Sequence, residues 1–541
     1  MVRGAVRHPE GPGVNIPRVS ALLKSVVSMS VATALSRITG FLRTMTQAAT
    51  LGTGVVANAY TFSNTLPNQV YELFMGGLLS SIFIPILVER LTNNGEEDAR
   101  RLVGALLTLI LPVLTAVVAA GVVFARPIVS FTTGWSGATG GETTELAVLL
   151  FRIFAVQILF YGLGALGIGI LNSHRYFFLP AIAPVLNNLV VIAAFGGYAL
   201  LAPERLEAAI LLLAWGTTLG VALMGAVLVP TAYRLGYRPR LRLGHPALGT
   251  AARLAGPMFV FVAASVGVQL FAYYLATRFN AAPDLQYAFV VFQLPYGIFI
   301  VSIAMALMPD LSERFARGDV GGYRQTLSSG IRTASFISVP AAVGMATLSV
   351  PAIGLLYQRG DFDLGDTRLV AAILASYSFG LVGYSAYFVL ARSFYARQNT
   401  LTPAAINAGL LALYVASAVS LSALFGIRGV ALAFTVSYGA TALVLLAAMR
   451  REVGGVDGRR LASSLLRIGL AGAVMYAVAS AGTTLLGEGF ETLQYALTLL
   501  LVGAVSLAAY LAAALMLRIE ELRSVAALLR RRSSSEAGNQ E

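Results

Sequence analysis

Two arginines six positions apart, Arg37 and Arg43 in the string Ser36-Arg37-Ile38-Thr39-Gly40-Phe41-Leu42-Arg43, lie inside a run that is otherwise apolar. A guanidinium keeps its charge and presents a planar fork of donors that matches carboxylates and phosphates. At mid-bilayer a cation costs at least about 2.5 kcal/mol, so it faces a wet cavity, a partner or a ligand. If the helix enters the membrane near residue 25, a rise of about 1.5 Å per residue sets Arg37 roughly 18 Å and Arg43 roughly 27 Å deep. On a regular helix the two point about 120° apart. A bend or local unwinding at Gly40, midway between them, is the expected device for bringing both into one cavity.

One carboxylate is clearly mid-span: Glu72, in Asn64-Thr65-Leu66-Pro67-Asn68-Gln69-Val70-Tyr71-Glu72. It is expected either to neutralise one of the arginines or to serve gating or proton coupling. Asn64, Asn68 and Tyr71 add polar atoms to the same segment, either as cavity lining or as bonds between helices. Two arginines and one glutamate leave a cavity net positive, which suits a phosphate or pyrophosphate and disfavours a cationic drug.

Other chemistry finds little support. The three histidines, His8, His174 and His245, fall in tails or loops, and the chain has no cysteine. No carboxylate cluster has the composition of a metal site, and no Walker-type phosphate loop is present. The expectation is therefore a transporter, not an enzyme, with no cofactor and no metal.

The surrounding elements must be membrane helices. Of 541 residues 57% are hydrophobic and 12% charged, a balance far from that of a soluble domain. Fourteen stretches approach the roughly 20 apolar residues that cross a bilayer. Residues 20–35 could pass for a signal-peptide core, but the apolar run continues through Arg37. Sorting the 38 Lys and Arg residues by alternate connections places 26 on one side and six on the other, with six inside spans. Because cytoplasmic loops retain positive charge, both termini are expected on the cytoplasmic side of the membrane. The net charge of +13 is thereby explained by anionic headgroups, without nucleic acid. Among the embedded arginines, Arg332 and Arg392 are expected to snorkel to the cytoplasmic surface.

An internal duplication is written in prolines. Leu66-Pro67 recurs as Leu294-Pro295, and Pro85-Ile-Leu-Val-Glu-Arg90 recurs as Pro309-Asp-Leu-Ser-Glu-Arg314. The offsets are 295 − 67 = 228 and 309 − 85 = 224, and Pro112/Pro340, Pro127/Pro351 and Pro180/Pro403 follow nearly the same register. Each copy holds six spans, so both enter the membrane with one orientation, as parallel repeats around a central cavity. The expected division is a cytoplasmic tail at 1–24, a first lobe at 25–233, a basic linker at 234–253, a second lobe at 254–450, two extra spans at 451–518 and a tail at 519–541. The fold class is an all-α polytopic membrane protein with two six-helix lobes plus two C-terminal helices. Pro67, Pro295 and Gly297, with Gly40, are the expected bending points for alternating access.

Ser36-Arg37-x-x-Gly40-Phe41-x-Arg43, Leu66-Pro67-Asn68, Phe83-x-Pro85-x-Leu87, Leu294-Pro295-x-Gly297 and Pro309-x-Leu311-Ser312 resemble the MurJ (MviN) family of lipid II flippases, over nearly the whole membrane region. The actinobacterial-type members are similar through Tyr71-Glu72-Leu73 and Pro184-Val-Leu-Asn187-Asn188. The resemblance implies a MATE-like exporter that moves undecaprenyl-pyrophosphate-linked peptidoglycan precursor, lipid II, from the inner to the outer leaflet. It implies a cationic headgroup cavity at spans one, two, seven and eight, with Arg37 and Arg43 on the first span and Ser36, Asn68, Tyr71 and Glu72 beside them. A lipid-tail groove on the last two spans follows from it as well. Three positions depart from the family pattern: Thr44 replaces an acidic residue, and Tyr71 and Val290 stand where arginines are usual. Arg253 and Arg278 are the available substitutes. Two other readings follow from these losses: export of a different polyprenyl-linked glycan, or a transport-inactive scaffold that recruits cell-wall synthesis proteins.

Overall fold

In the computed structural model, residues 19–73, 83–135, 140–238, 240, 242, 244–487 and 491–522 are described. Residues 1–18 of the expected N-terminal tail and 523–541 of the expected C-terminal tail lie outside them. Every regular element among the described residues is helical. The first half contains α1 (Val19–Leu51), α2 (Val55–Glu72), α3 (Ile84–Asn93), α4 (Gly95–Val123), α5 (Ala125–Thr132), α6 (Gly140–Ala155), α7 (Gln157–Ser173), α8 (Phe178–Leu201), α9 (Leu206–Ala226) and α10 (Val229–Arg234). The second contains α11 (Ala247–Arg278), α12 (Ala282–Pro295), a π-helical turn (Tyr296–Ile300), α13 (Val301–Ala316), α14 (Val320–Thr347), α15 (Ser349–Tyr357), α16 (Leu364–Ser378), α17 (Leu381–Ala396), α18 (Leu401–Phe425) and α19 (Ile427–Val453). The last two helices are α20 (Gly458–Leu486) and α21 (Thr492–Met516).

Ten of these helices or continuous helix pairs are long and apolar enough to cross a membrane, and α14–α15 and α16–α17, bent by 76° and 48°, bring the number to 12. The two further spans expected from the sequence are α1 and the segment carrying α2 and α3, whose joining residues 74–82 are not described. Low hydropathy in α2 has a physical cause. It carries Asn58, Thr61, Ser63, Thr65 and Gln69, all buried against other helices, so their polar groups meet protein and not lipid.

Helices α1–α10 pack mainly among themselves, as do α11–α19, which gives two lobes. Each has its own core: Tyr60, Phe154 and Phe195 in the first, Phe292, Tyr377 and Phe434 in the second. Close approach within a lobe uses small residues, as where a Cβ at Gly383 on α17 would stand 2.8 Å from the Gly439 Cα on α19.

The duplication extends to details that the proline register alone does not reveal. Phe124 breaks α4 from α5 at φ −95°, ψ 21°, and Leu348, 224 positions later (348 − 124), breaks α14 from α15 at φ −108°, ψ 19°. In the first lobe the Asn188 amide on α8 donates to the Ser36 carbonyl (3.3 Å) and Thr39 Oγ1 (3.1 Å) of α1. In the second the Asn407 amide on α18 donates to the Phe261 carbonyl (2.6 Å) and Ser265 Oγ (3.0 Å) of α11.

The C-terminal pair α20–α21 packs on α14 and α15 of the second lobe. Here the expectation for Arg332 is corrected. It does not snorkel: its side chain is 7% exposed and pairs with Glu521 (2.6 Å) and Glu520 (3.3 Å), and Glu520 also takes Arg460 (2.7 Å). The first residues of the expected tail are therefore part of the fold, with Ile519 and Glu521 buried. Bonds from Arg460 and Arg332 hold the Glu520 carboxyl below its ordinary range, so the stability this exposed part of the tie contributes is full above that range and is lost as pH falls from it through the lowered value. Arg332→Ala leaves Glu521 as an uncompensated buried carboxylate, and a loss of about 3–5 kcal/mol is expected in detergent unfolding. An unchanged melting midpoint would count against this role.

Candidate functional site between the lobes

Helix α1 runs unbroken from Val19 to Leu51, so the local unwinding expected at Gly40 is absent in this conformation. The glycine instead allows close packing: a Cβ there would stand 3.5 Å from the Asn188 amide nitrogen. With a regular helix, Arg37 and Arg43 diverge as their spacing requires. Arg37 is exposed and crosses to the second lobe, where a Cβ on Gly297 of the π-helical turn would meet its guanidinium at 3.4 Å. Arg43 is half-buried and turns toward the first lobe, within electrostatic reach of Tyr60 and Tyr161.

Around Arg43 the expected polar residues of α2 come together through one that sequence reading missed. Tyr161 on α7 donates to Asn68 Oδ1 (2.6 Å), and its ring centre lies 4.7 Å from that of Tyr71. Tyr71 thus puts an aromatic wall where a cation is usual in the family pattern. Thr44, in place of an acidic residue, donates back to the Gly40 carbonyl (3.2 Å) and leaves Arg43 unneutralised. Glu72 is exposed, and among the described residues no ion pair joins it to Arg37 or Arg43, so the counter-ion alternative finds no support in this conformation. Ser36 enters through its carbonyl, which anchors α1 to α8. Arg278 belongs elsewhere, stacked on Gly134 at the end of α11, and the Arg253 side chain is outside the described residues.

Pro67 is buried within an uninterrupted α2. Pro295, its repeat partner, ends α12 and opens the π-helical turn containing Gly297. Such turns carry strain and favour functional positions. The two prolines therefore share a register but not a local backbone.

At the end of the molecule where α1 finishes and α2 begins, hydrogen bonds join the lobes. Asn58 donates to the Asn280 carbonyl (2.9 Å) and accepts from the Ala282 amide (3.1 Å). Gln47 reaches Gln286 Oε1 (3.3 Å), Tyr287 reaches the Gly52 carbonyl (3.1 Å), and Thr53 reaches Asp366 Oδ1 (2.6 Å). The Asp361 amide donates to the Ala49 carbonyl (3.0 Å). None of these residues was legible as functional in the sequence, since each acts only through a partner more than 200 positions away.

Two helical lobes closed at one end, with unneutralised arginines between them, define a multi-pass transporter of the MATE-like architecture. The chain belongs to the lipid II flippase MurJ family, whose family model matches residues 47–505. Relatives include the lipid II flippase MurJ of Burkholderia cenocepacia, 29% identical over 80% of this chain and 84% of that protein. The probable lipid II flippase MurJ of Vibrio cholerae is 29% identical over 93% of this chain and 98% of its own length. In fold, the chain is similar to a solved lipid II flippase MurJ in an inward closed conformation (TM-score 0.75, 24% identity, 91% of this chain and 99% of that one). It is also similar in fold to an inward-facing MATE family transporter of the MOP superfamily (TM-score 0.64, 15% identity, 80% and 99%).

Proposed function

We propose that this protein is a flippase that carries lipid II, the undecaprenyl-pyrophosphate-linked peptidoglycan precursor, from the inner to the outer leaflet of the bacterial plasma membrane. The observation that carries the reading is Arg37: a guanidinium within an apolar helix, exposed between two lobes, with no carboxylate paired to it among the described residues. Its fork takes the pyrophosphate, with Arg43 adding charge from the facing wall. With both termini in the cytoplasm, the hydrogen-bonded end faces outward and the Arg37 side opens inward. Alternating access follows when the lobes part at the Asn58, Gln47 and Thr53 contacts, with Pro295 and Gly297 taking up the bend. The aliphatic tail stays in lipid along α20 and α21.

A charged cavity is also sensitive to voltage, at about 2.3 kcal/mol per charge per 100 mV. The test is leaflet accessibility of lipid II in vesicles holding the purified chain, with and without an imposed potential. Translocation that quickens with the potential is expected. Vesicles that move no polyprenyl pyrophosphate under either condition would overturn the reading in favour of a scaffold for cell-wall synthesis proteins.

A further inference from the structure

The second lobe holds a cavity of about 240 Å³ that the pyrophosphate site leaves unused. Aromatic rings line most of it, among them Tyr296, Tyr384 and Tyr387, together with the amides of Gln269 and Gln293 and one charge, Arg392. No Asp or Glu lines it. Arg392 was expected to snorkel, yet its guanidinium lies 5.1 Å from the ring centre of Phe388 and 5.9 Å from that of Tyr395. Ring faces attract a cation by about 0.5–2 kcal/mol, less than a half-buried guanidinium gains from an anion with which it forms two charge-assisted hydrogen bonds. Among the described residues no carboxylate stands within ion-pair distance of it. The pocket is thus half-enclosed, with Arg392 as the one charged side chain in its wall.

Repeat register supports a binding role. Tyr387 stands 226 positions after Tyr161 (387 − 161), Gln269 stands 226 after Arg43 (269 − 43), and Tyr296 stands 228 after Asn68 (296 − 68). The cavity is the second lobe's counterpart of the Arg43 cluster, with its cation supplied from α17 in place of the lobe's first helix. The two sites also adjoin. Tyr296 lines the cavity while the next residue, Gly297, is the one beside the Arg37 guanidinium. A ligand whose pyrophosphate rests on Arg37 therefore has the rest of its headgroup next to this opening.

We infer that the cavity receives the peptide stem of the precursor headgroup, with Arg392 pairing to its terminal carboxylate and Gln269 and Gln293 binding the amides just before it. The inference rests on the flippase reading and deepens it. A volume of 240 Å³ is below the usual range for drug-sized ligands, which suits the end of a peptide and excludes the whole headgroup. The first lobe then reads the pyrophosphate that all such lipids share, while the second reads what is attached to it.

Binding of two lipids to the purified full-length chain tests this: lipid II, and undecaprenyl pyrophosphate, which has neither sugar nor peptide. Arg392→Gln is expected to weaken lipid II binding about tenfold or more and to leave undecaprenyl pyrophosphate within about twofold, which also shows that the variant is folded. Lipid II with its terminal carboxylate converted to the amide is expected to lose the same factor on the unsubstituted protein and nothing further on Arg392→Gln. Equal weakening of both lipids, no weakening of either, or an amide that binds as well as the acid overturns the inference while leaving the flippase reading intact. If the unsubstituted protein binds neither lipid, the flippase reading falls and takes this one with it.

Discussion

Arg37→Ala is expected to abolish lipid II translocation and to fail to support growth of cells depleted of their own flippase, with the protein still made and folded. A bidentate pyrophosphate contact supplies two charge-assisted hydrogen bonds worth roughly 1.5–3 kcal/mol each, so binding should fall by about 100-fold or more. Stability is spared for a reason visible in the structure: the side chain is exposed and holds no carboxylate, so its removal leaves no buried charge behind. That separates it from Arg332, whose loss strands Glu521. Arg37→Lys keeps the charge but loses the planar fork and should recover only part of the activity. Arg43→Ala is expected to abolish complementation as well, because Thr44 and Tyr71 leave it as the remaining cation on that wall. Normal growth with both alanine variants would remove the cavity assignment.

Gly360→Val should trap the transporter with its hydrogen-bonded end open. Gly360 lies at φ +63°, in the left-handed region, and a Cβ there would stand 2.1 Å from the Ala49 carbonyl oxygen on the opposite lobe. That oxygen is the acceptor for Asp361, and across the same contact Gly52, at φ +55°, has room for no more than hydrogen beside the Asp361 carbonyl. Backbone meets backbone here, so no rotamer change relieves the clash and the lobes must separate. A shift of two orders of magnitude in the closed-to-open ratio needs under about 3 kcal/mol, which the lost hydrogen bond, the strained φ and the overlap together exceed. Because the chain has no cysteine, a single introduced pair reports cleanly. Cysteines at Thr53 and Asp366, which are hydrogen-bonded in the closed state, should cross-link readily in the parent and poorly with Gly360→Val. Equal cross-linking in both would show that the glycine is not a closure element.

How far the site was legible depended on the range over which each residue acts. Arg37 and Arg43 announced themselves because a guanidinium in an apolar run is improbable wherever the helix points. Their divergence was legible too, since 100° per residue is a local property. What they face was not. The unwinding imagined at Gly40 would have joined them, whereas α1 stays regular because Asn188 and Thr39 tie that turn to α8. Arg392 and Arg332 looked alike as arginines near one end of a span, yet one lines a tyrosine cavity and the other anchors the C-terminal helices. Tyr161 could have been found by carrying the proline register to other residues, because Tyr387 repeats it.

By itself the sequence determined immersion in a membrane, the approximate spans, the lopsided distribution of charge and the duplicated lobes. Transfer free energy adds up residue by residue along a helix, and a repeat survives as order and offset, so neither depends on knowing what touches what. The tertiary structure alone decided which end is closed, which arginines lack a counter-ion and which have found one. It also decided that the π-helical turn after Pro295 lies between Arg37 and the tyrosine cavity. Those outcomes are set by how helices rotate against neighbours hundreds of positions away, where a change in facing of one residue exchanges lipid, protein and cavity.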